Sequence, residues 1–253
     1  MDDILTQLID MTRRIADPTK DLAILGEGNT SARADEDSFY VKASGTSMTG
    51  ITEDGFVRVS ISRVLALLDD PSADDAAVTR VFQDALVVPG EKRRPSVEAI
   101  LHAILLQIPE YRFVGHAHPV YTNTLMCSVH AEEAATRRLF PDQIVSMGPA
   151  SVFVPYVDPG LPLAREVKRR LEQFVDKEGM LPTAILMQNH GLITMGASVK
   201  AVLSCMDMTE KSMRILYGTY AIGGPHFLEP GHVERIATRP DEIYRLQHIA
   251  GNQ

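Results

Sequence analysis

The sequence predicts an α/β fold, a single domain over residues 1–225 followed by a tail at 226–253. Three observations carry that prediction. The chain has 253 residues, enough for one substantial core. Stretches of helical and β-like periodicity alternate along its length. No internal repeat and no low-complexity linker divides it.

Each element has a local reason. Ile4, Leu5, Leu8, Ile9, Met11 and Ile15 recur at helical spacing, so residues 3–15 read as an amphipathic helix. Gly26, Gly28 and Asn29 punctuate the next stretch. TSAR and SFYVKAS are then β-like, and form a hairpin with a glycine-rich turn before it. FVRVS is a short strand, and ISRVLALLDD is a helix stopped by Pro71. DDPSADDAA is a polar stretch and PGEKRRPS a loop. SVEAILHAILLQI is a helix that ends at Pro109, with Ser96 placed to cap it and Glu98 in its first turn. RFVGHAH is a strand, VYTNTLMC fits either helix or strand, and SVFVPYV is strand-like. LPLAREVKRRLEQFVDKEG is a helix that stops at Gly179. TAILMQNHGLITMG reads as two strands around a turn at Asn189–Gly191. A long helix runs from SVKAV to YAIG, and the sequence after Gly224 is rich in Pro, Gly and charge.

Composition narrows the function. Hydrophobic residues make up 45% of the chain, and the mean hydropathy is −0.04, as in soluble globular proteins. The formal charge of −8 argues against a nucleic-acid partner or an anionic membrane surface. Lys92, Arg93 and Arg94 run against that balance and read as a solvated loop. Cys127 and Cys205 are the two cysteines, too few for a disulfide framework. The N-terminal MDDILTQLIDMTRR is acidic first and amphipathic. It predicts no signal peptide and no membrane span, with a cytoplasmic location as the default.

The candidate chemistry starts from His116 and His118. Residues two apart share a face on a strand, so an extended RFVGHAH aims both imidazoles together. Such a pair suits a transition metal, although two polar residues at a strand end are the plain alternative. His190, in the turn of MQNHGL, is a third candidate ligand. Three imidazoles with an open fourth position are the layout of a catalytic zinc site. Glu98 supplies a carboxylate, as a fourth ligand or as the residue that moves a proton. His102 lies one helical turn beyond Glu98, as an alternative ligand, a half-buried helix histidine or a supporting partner. GEGNTSAR and KASGT combine Gly with Ser, Thr or Asn, which suits anion binding. Lys42 adds positive charge, and Ser96 at a helix N-terminus adds another anion-friendly point.

GNTS, SGT, PSVE…HAH and NHGL, in that order, resemble the class II aldolase/adducin family over roughly residues 3–220. The resemblance implies a three-layer α/β/α domain with a central, mainly antiparallel sheet. It implies a homotetramer with the active site at a subunit interface. His116, His118 and His190 would ligate a divalent metal, most readily Zn²⁺, with Mn²⁺, Co²⁺ or Fe²⁺ as alternatives. Glu98 would be the acid/base or a ligand. Asn29, Ser44, Gly45 and Ser96, with Lys42 added, would bind phosphate. Two positions depart from the pattern. Aldolases of the family carry two serines before the glutamate, and the second is Val97 here. The segment that should bring a tyrosine reads RLFPDQIVSMGPA and has none, which leaves Tyr217, Tyr220 and Tyr244 as candidate proton donors.

The implied activity is a metal-dependent lyase that cleaves a ketose phosphate by a retro-aldol reaction through a metal-stabilised enediolate. Decarboxylation of a sugar acid or keto acid and 4-epimerisation of a sugar phosphate share that intermediate. A non-catalytic, adducin-like interaction module is the reading from a different class.

Overall fold

The computed structural model describes residues 3–242 and Tyr244. The end of the expected tail, at 245–253, lies outside the described residues. In hydrogen-bonded order the strands run β3-β2-β1-β4-β7-β6-β5, one sheet of seven strands with helices flanking it. The chain packs as two compact units. One comprises residues 3–117 with 157–169 and 195–199; the other comprises 118–156, 170–194 and the described residues from 200 onward.

In the first unit, α1 (Asp3–Ile15) buries Ile4, Leu8, Met11 and Ile15, as its helical spacing requires. β1 (Asn29–Arg33) pairs antiparallel with β2 (Ser38–Lys42), and β2 with β3 (Phe56–Ser60). β1 also pairs antiparallel with β4 (Phe113–Ala117), where Asn29 stands opposite His116 and Ser31 opposite Val114. Side chains alternate along β1, so its two faces go to different helices. Thr30 meets Thr12 of α1, with their hydroxyls 2.6 Å apart. Ser31 and Asn29 turn to α4 (Ala99–Leu106), where both meet His102. The layering expected of an α/β/α fold therefore follows from one strand's pleat. All eight residues of α4 are buried, and each leucine or isoleucine there contributes about 1.5–3 kcal/mol by leaving water.

Two elements of this unit differ from expectation. ISRVLALLDD forms only a short α2 (Ile61–Leu65) followed by a 3-10 turn. The polar stretch DDPSADDAA leads into a helix, α3 (Asp75–Asp84), because the Asp74 carboxylate accepts the Ala77 N–H at 2.7 Å and caps it.

The second unit holds α5 (Val120–Met126), which resolves VYTNTLMC as a helix, then α6 (Ala131–Thr136) and α7 (Pro141–Met147). β5 (Val152–Val154) runs parallel to β6 (Ala184–Met187), and β6 pairs antiparallel with β7 (Gly191–Gly196). α8 (Leu161–Glu178) ends at Gly179, whose φ of +65° is the left-handed stop a glycine supplies. α9 (Val199–Tyr220) is the long helix, and α10 (Pro230–Thr238) lies in the stretch expected to be a loose tail. Pro230 opens α10 at a position where its missing N–H costs nothing. Arg138 is fully buried, donating to the carbonyls of Gly148, Ala135 and Arg137 and to the Ser151 hydroxyl. Burial pulls its pKa down to about 10, so the guanidinium keeps its charge at neutral pH. No helix among the described residues is long and apolar enough to cross a membrane.

Cys205, buried on α9, gives a test of this packing. Its thiol lies 3.5 Å from the Thr183 carbonyl, and burial raises its pKa from 9.0 to about 11. Below pH 9 the thiol is neutral in both folded and unfolded chains. Above that the unfolded thiol ionises first, so stability falls as pH rises from 9 towards 11. The expected loss is about 1.4 kcal/mol per pH unit in that window. Urea unfolding of the wild type and Cys205→Ala at pH 8, 9, 10 and 11 checks it, since the variant lacks that slope.

Candidate active site

Asn29, Ser96, Glu98, His102 and His116 come together in the first unit. The Asn29 amide nitrogen donates to the Glu98 carboxylate at 2.6 Å and to the Ser96 hydroxyl at 3.2 Å. Its carbonyl oxygen accepts from His102 Nε2. Glu98 Oε2 lies 3.4 Å from His116 Nε2, with the Glu98 side chain 12% exposed. Gly28 allows strand β1 this close to β4. Its φ is +71°, and a Cβ there would sit 2.7 Å from the His116 carbonyl oxygen.

The expected cap changes here. Ser96 does not cap α4. Glu98 occupies the N-cap position, with no side-chain cap bond. The Ser96 hydroxyl instead accepts the Glu98 N–H at 3.3 Å. Glu98 does not sit in the first turn, and its carboxylate is directed to Asn29 and His116. His102 is fully rather than half buried. Burial, reinforced by His116 and opposed by Glu98, lowers its pKa from 6.5 to about 3, so the ring is neutral.

The two segments expected to bind an anion are also neighbours. Ala43 bridges Pro95, Ser44 N–H donates to the Arg94 carbonyl at 2.8 Å, and Ser96 N–H donates to the Lys42 carbonyl at 3.0 Å. Ser44 and Gly45 are exposed at the resulting turn, where Gly45 has φ +77°. The Lys42 ammonium is buried and donates to the Thr46 carbonyl at 2.6 Å. Burial lowers its pKa, with the nearby Glu98 acting in the opposite sense. Val97 is 64% exposed where the family pattern has a serine.

Of the three expected ligands, His116 lies in the first unit, and His118 and His190 lie in the second. His118 follows the end of β4, and its ring meets that of His190 edge-on, with centroids 5.4 Å apart. His190 sits in the β6–β7 turn after Asn189, whose φ of +53° asparagine tolerates well. Imidazole nitrogens are donors suited to a divalent transition-metal ion, and the paired His118 and His190 rings fit one.

Two residues that sequence reasoning passed over brace α5 and the turn that carries His190. Glu210 of α9 accepts the N–H groups of Tyr121 and Thr122 at 2.8 and 2.9 Å, and the Thr122 hydroxyl at 2.9 Å. It thereby caps α5, whose own N-cap residue, Pro119, has no capping side chain. The Asn123 amide donates to the His190 carbonyl at 3.0 Å. No sequence signal marks Glu210, because its partners lie almost ninety residues away. Of the candidate tyrosines, Tyr217 packs on Tyr121 at 5.8 Å, Tyr220 stacks on His130 at 4.5 Å, and Tyr244 is exposed. Replacing Glu210 with Ala leaves these N–H groups without their cap. The expected result is a stability loss of about 1–3 kcal/mol and weaker Zn²⁺ binding by the apo-protein. Urea unfolding and a Zn²⁺ titration against a competing chelator measure the two effects.

Comparison with known proteins gives this geometry its context. Residues 6–217 match the family described as the class II aldolase and adducin N-terminal domain. The methylthioribulose-1-phosphate dehydratase of Microcystis aeruginosa is 26% identical over 208 residues, spanning 77% of this chain and 86% of that protein. The 5-deoxy-D-ribulose 1-phosphate aldolase of Bacillus thuringiensis is 29% identical over 191 residues, spanning 74% and 80%. A solved N-terminal class II aldolase domain of a conserved protein from Thermoplasma acidophilum is similar over most of this chain. It has a TM-score of 0.68 and 26% identity, covering 86% of this chain and 95% of that one. With the match running over most of its length, the chain belongs to the class II aldolase and adducin N-terminal domain family.

Proposed function

We propose that the protein is a metal-dependent carbon–carbon lyase that cleaves a ketose phosphate by a retro-aldol reaction. The observation that carries this reading is the sequestered Glu98 carboxylate 3.4 Å from His116, with the His118 and His190 rings meeting edge-on in the second unit. His116, His118 and His190 would hold a Zn²⁺, Mn²⁺, Co²⁺ or Fe²⁺ ion, which would supply Lewis acidity at the substrate's carbonyl oxygen. The protein's own groups do the rest. In cleavage the Glu98 carboxylate takes a hydroxyl proton from the substrate, the adjacent C–C bond breaks, and an aldehyde departs. The remaining fragment is an enediolate, and Glu98 returns the proton to its carbon. Ser44, Gly45 and Ser96, with Lys42 behind them, form the candidate seat for the phosphate. Support for a ketose phosphate comes from the two relatives, whose names specify 1-phosphates of ribulose derivatives. In this reading residues 1–225 are one catalytic domain of a cytoplasmic homotetramer.

The dehydratase name of the Microcystis relative favours a second reading, loss of water from the same substrate class. It uses the same carbonyl activation and the same proton-moving carboxylate.

A screen of ketose phosphates with product detection separates the two. Aldehyde release marks cleavage, and a dehydrated ketone marks elimination. Stripping metal with a chelator is expected to abolish turnover, and adding Zn²⁺, Mn²⁺ or Co²⁺ to restore it. Glu98→Gln is expected to lower kcat by about 10²–10⁴-fold. Full turnover by the metal-free protein or by His118→Ala would remove the lyase reading. Absence of bound metal together with absence of turnover would favour the interaction module.

A further inference from the structure

A buried chain of polar groups runs from Ser31 through His102 and Asn29 to Glu98, and its hydrogen-bond directions are determined by its ends. A carboxylate accepts only, so the Asn29 atom 2.6 Å from Glu98 Oε2 is the amide nitrogen, which donates. The Asn29 carbonyl oxygen then faces His102 Nε2, so Nε2 carries the proton. The ring is neutral, which leaves His102 Nδ1 bare, and it accepts the Ser31 hydroxyl at 2.6 Å. Ser31 and Asn29 lie on the same face of β1, two residues apart, opposite Val114 and His116 of β4. All three relay side chains are buried. Both Asn29 N–H groups are used, on Glu98 and Ser96.

We propose that His102 is a positioning residue: bonded to Ser31 and Asn29, it sets which way the Asn29 amide faces and so holds the Glu98 carboxylate against His116. The consequence for turnover rests on the lyase reading above; the orientation itself does not. Without His102 the Asn29 carbonyl oxygen loses its buried donor, and only the bonds to Glu98 and Ser96 restrain the amide, so Glu98 is held less firmly. Asn29 is therefore a link to the proton-moving carboxylate, in addition to the phosphate-binding role that the family resemblance implies for it.

Two measurements test the proposal. The first needs no metal, substrate or turnover: hydrogen exchange of the Asn29 side-chain amide in ¹⁵N-labelled, metal-free protein. The amide is expected to exchange slowly in the wild type and at least about tenfold faster in His102→Leu. It should return to slow exchange in His102→Gln, whose amide donates to Asn29 and accepts from Ser31. The second measurement is steady-state kinetics on a ketose phosphate that the wild type turns over. His102→Leu is expected to lower kcat by about 10–100-fold, with KM within about twofold and recovery in His102→Gln. Ser31→Ala removes one bond at little change in volume and is expected to move both readouts the same way, so the test survives if His102→Leu does not fold. Unchanged amide exchange in Ser31→Ala and His102→Leu would overturn the proposal. So would a raised KM with kcat intact, which is the signature of a lost anion contact. A wild type that cleaves no ketose phosphate would count against the lyase reading alone, because amide exchange still decides the relay.

Discussion

The pairing of β1 with β4 in the register that sets Asn29 opposite His116 is the constraint on which the candidate site depends. A shift of one residue would turn Asn29 and Ser31 towards α1 and bring Thr30 to α4. The polar groups of α4 would then be buried with nothing to bond. Gly28 guards this register, because its positive φ and missing Cβ let β1 begin against the His116 carbonyl. Thr30, bonded to Thr12 on the opposite face, fixes the same alignment from the α1 side. A buried polar network is costly when partly satisfied and rigid when complete. The links among Ser31, His102, Asn29, Ser96 and Glu98 make this one a rigid mount for a carboxylate.

Different parts of the site are held by different physics. The candidate anion-binding segments rely on backbone bonds, through the bridge of Ala43 to Pro95 and the two N–H donations beside it. Those bonds leave Ser44 and Gly45 at the surface, where an anion can reach them. His118 and His190 sit at the ends of strands, where the backbone has left the ladder and needs other partners. Glu210 supplies them for α5, and Asn123 for the His190 turn. The candidate residues therefore sit on sheet, helix cap and turn, each satisfying its own polar groups.

Local chemistry made much of this legible in the sequence. The turn at Asn189–Gly191 and the stop at Gly179 come from residues that tolerate positive φ, and both occur. The two histidines of the β4 region were readable as a pair because strand geometry acts over two residues, and His190 because it sits in that turn. Glu98 and His102 were readable as neighbours because helical spacing acts over four. The helices α3 and α10 escaped notice because their first turns are polar or begin with proline, so capping outweighed the hydrophobic pattern.

Sequence alone thus determined the α/β alternation, the family and the residue types of the site, since each is written in short-range spacing and motif order. The partners were decided by tertiary structure. Ser96 does not cap α4, Asn29 is bonded to Glu98 and His102, and Glu210 caps a helix far from it in the chain. The Asn29 and Glu210 bonds join residues about seventy to ninety positions apart. A buried hydrogen bond is specified by where two backbones meet in space, and no local pattern of residues carries that information.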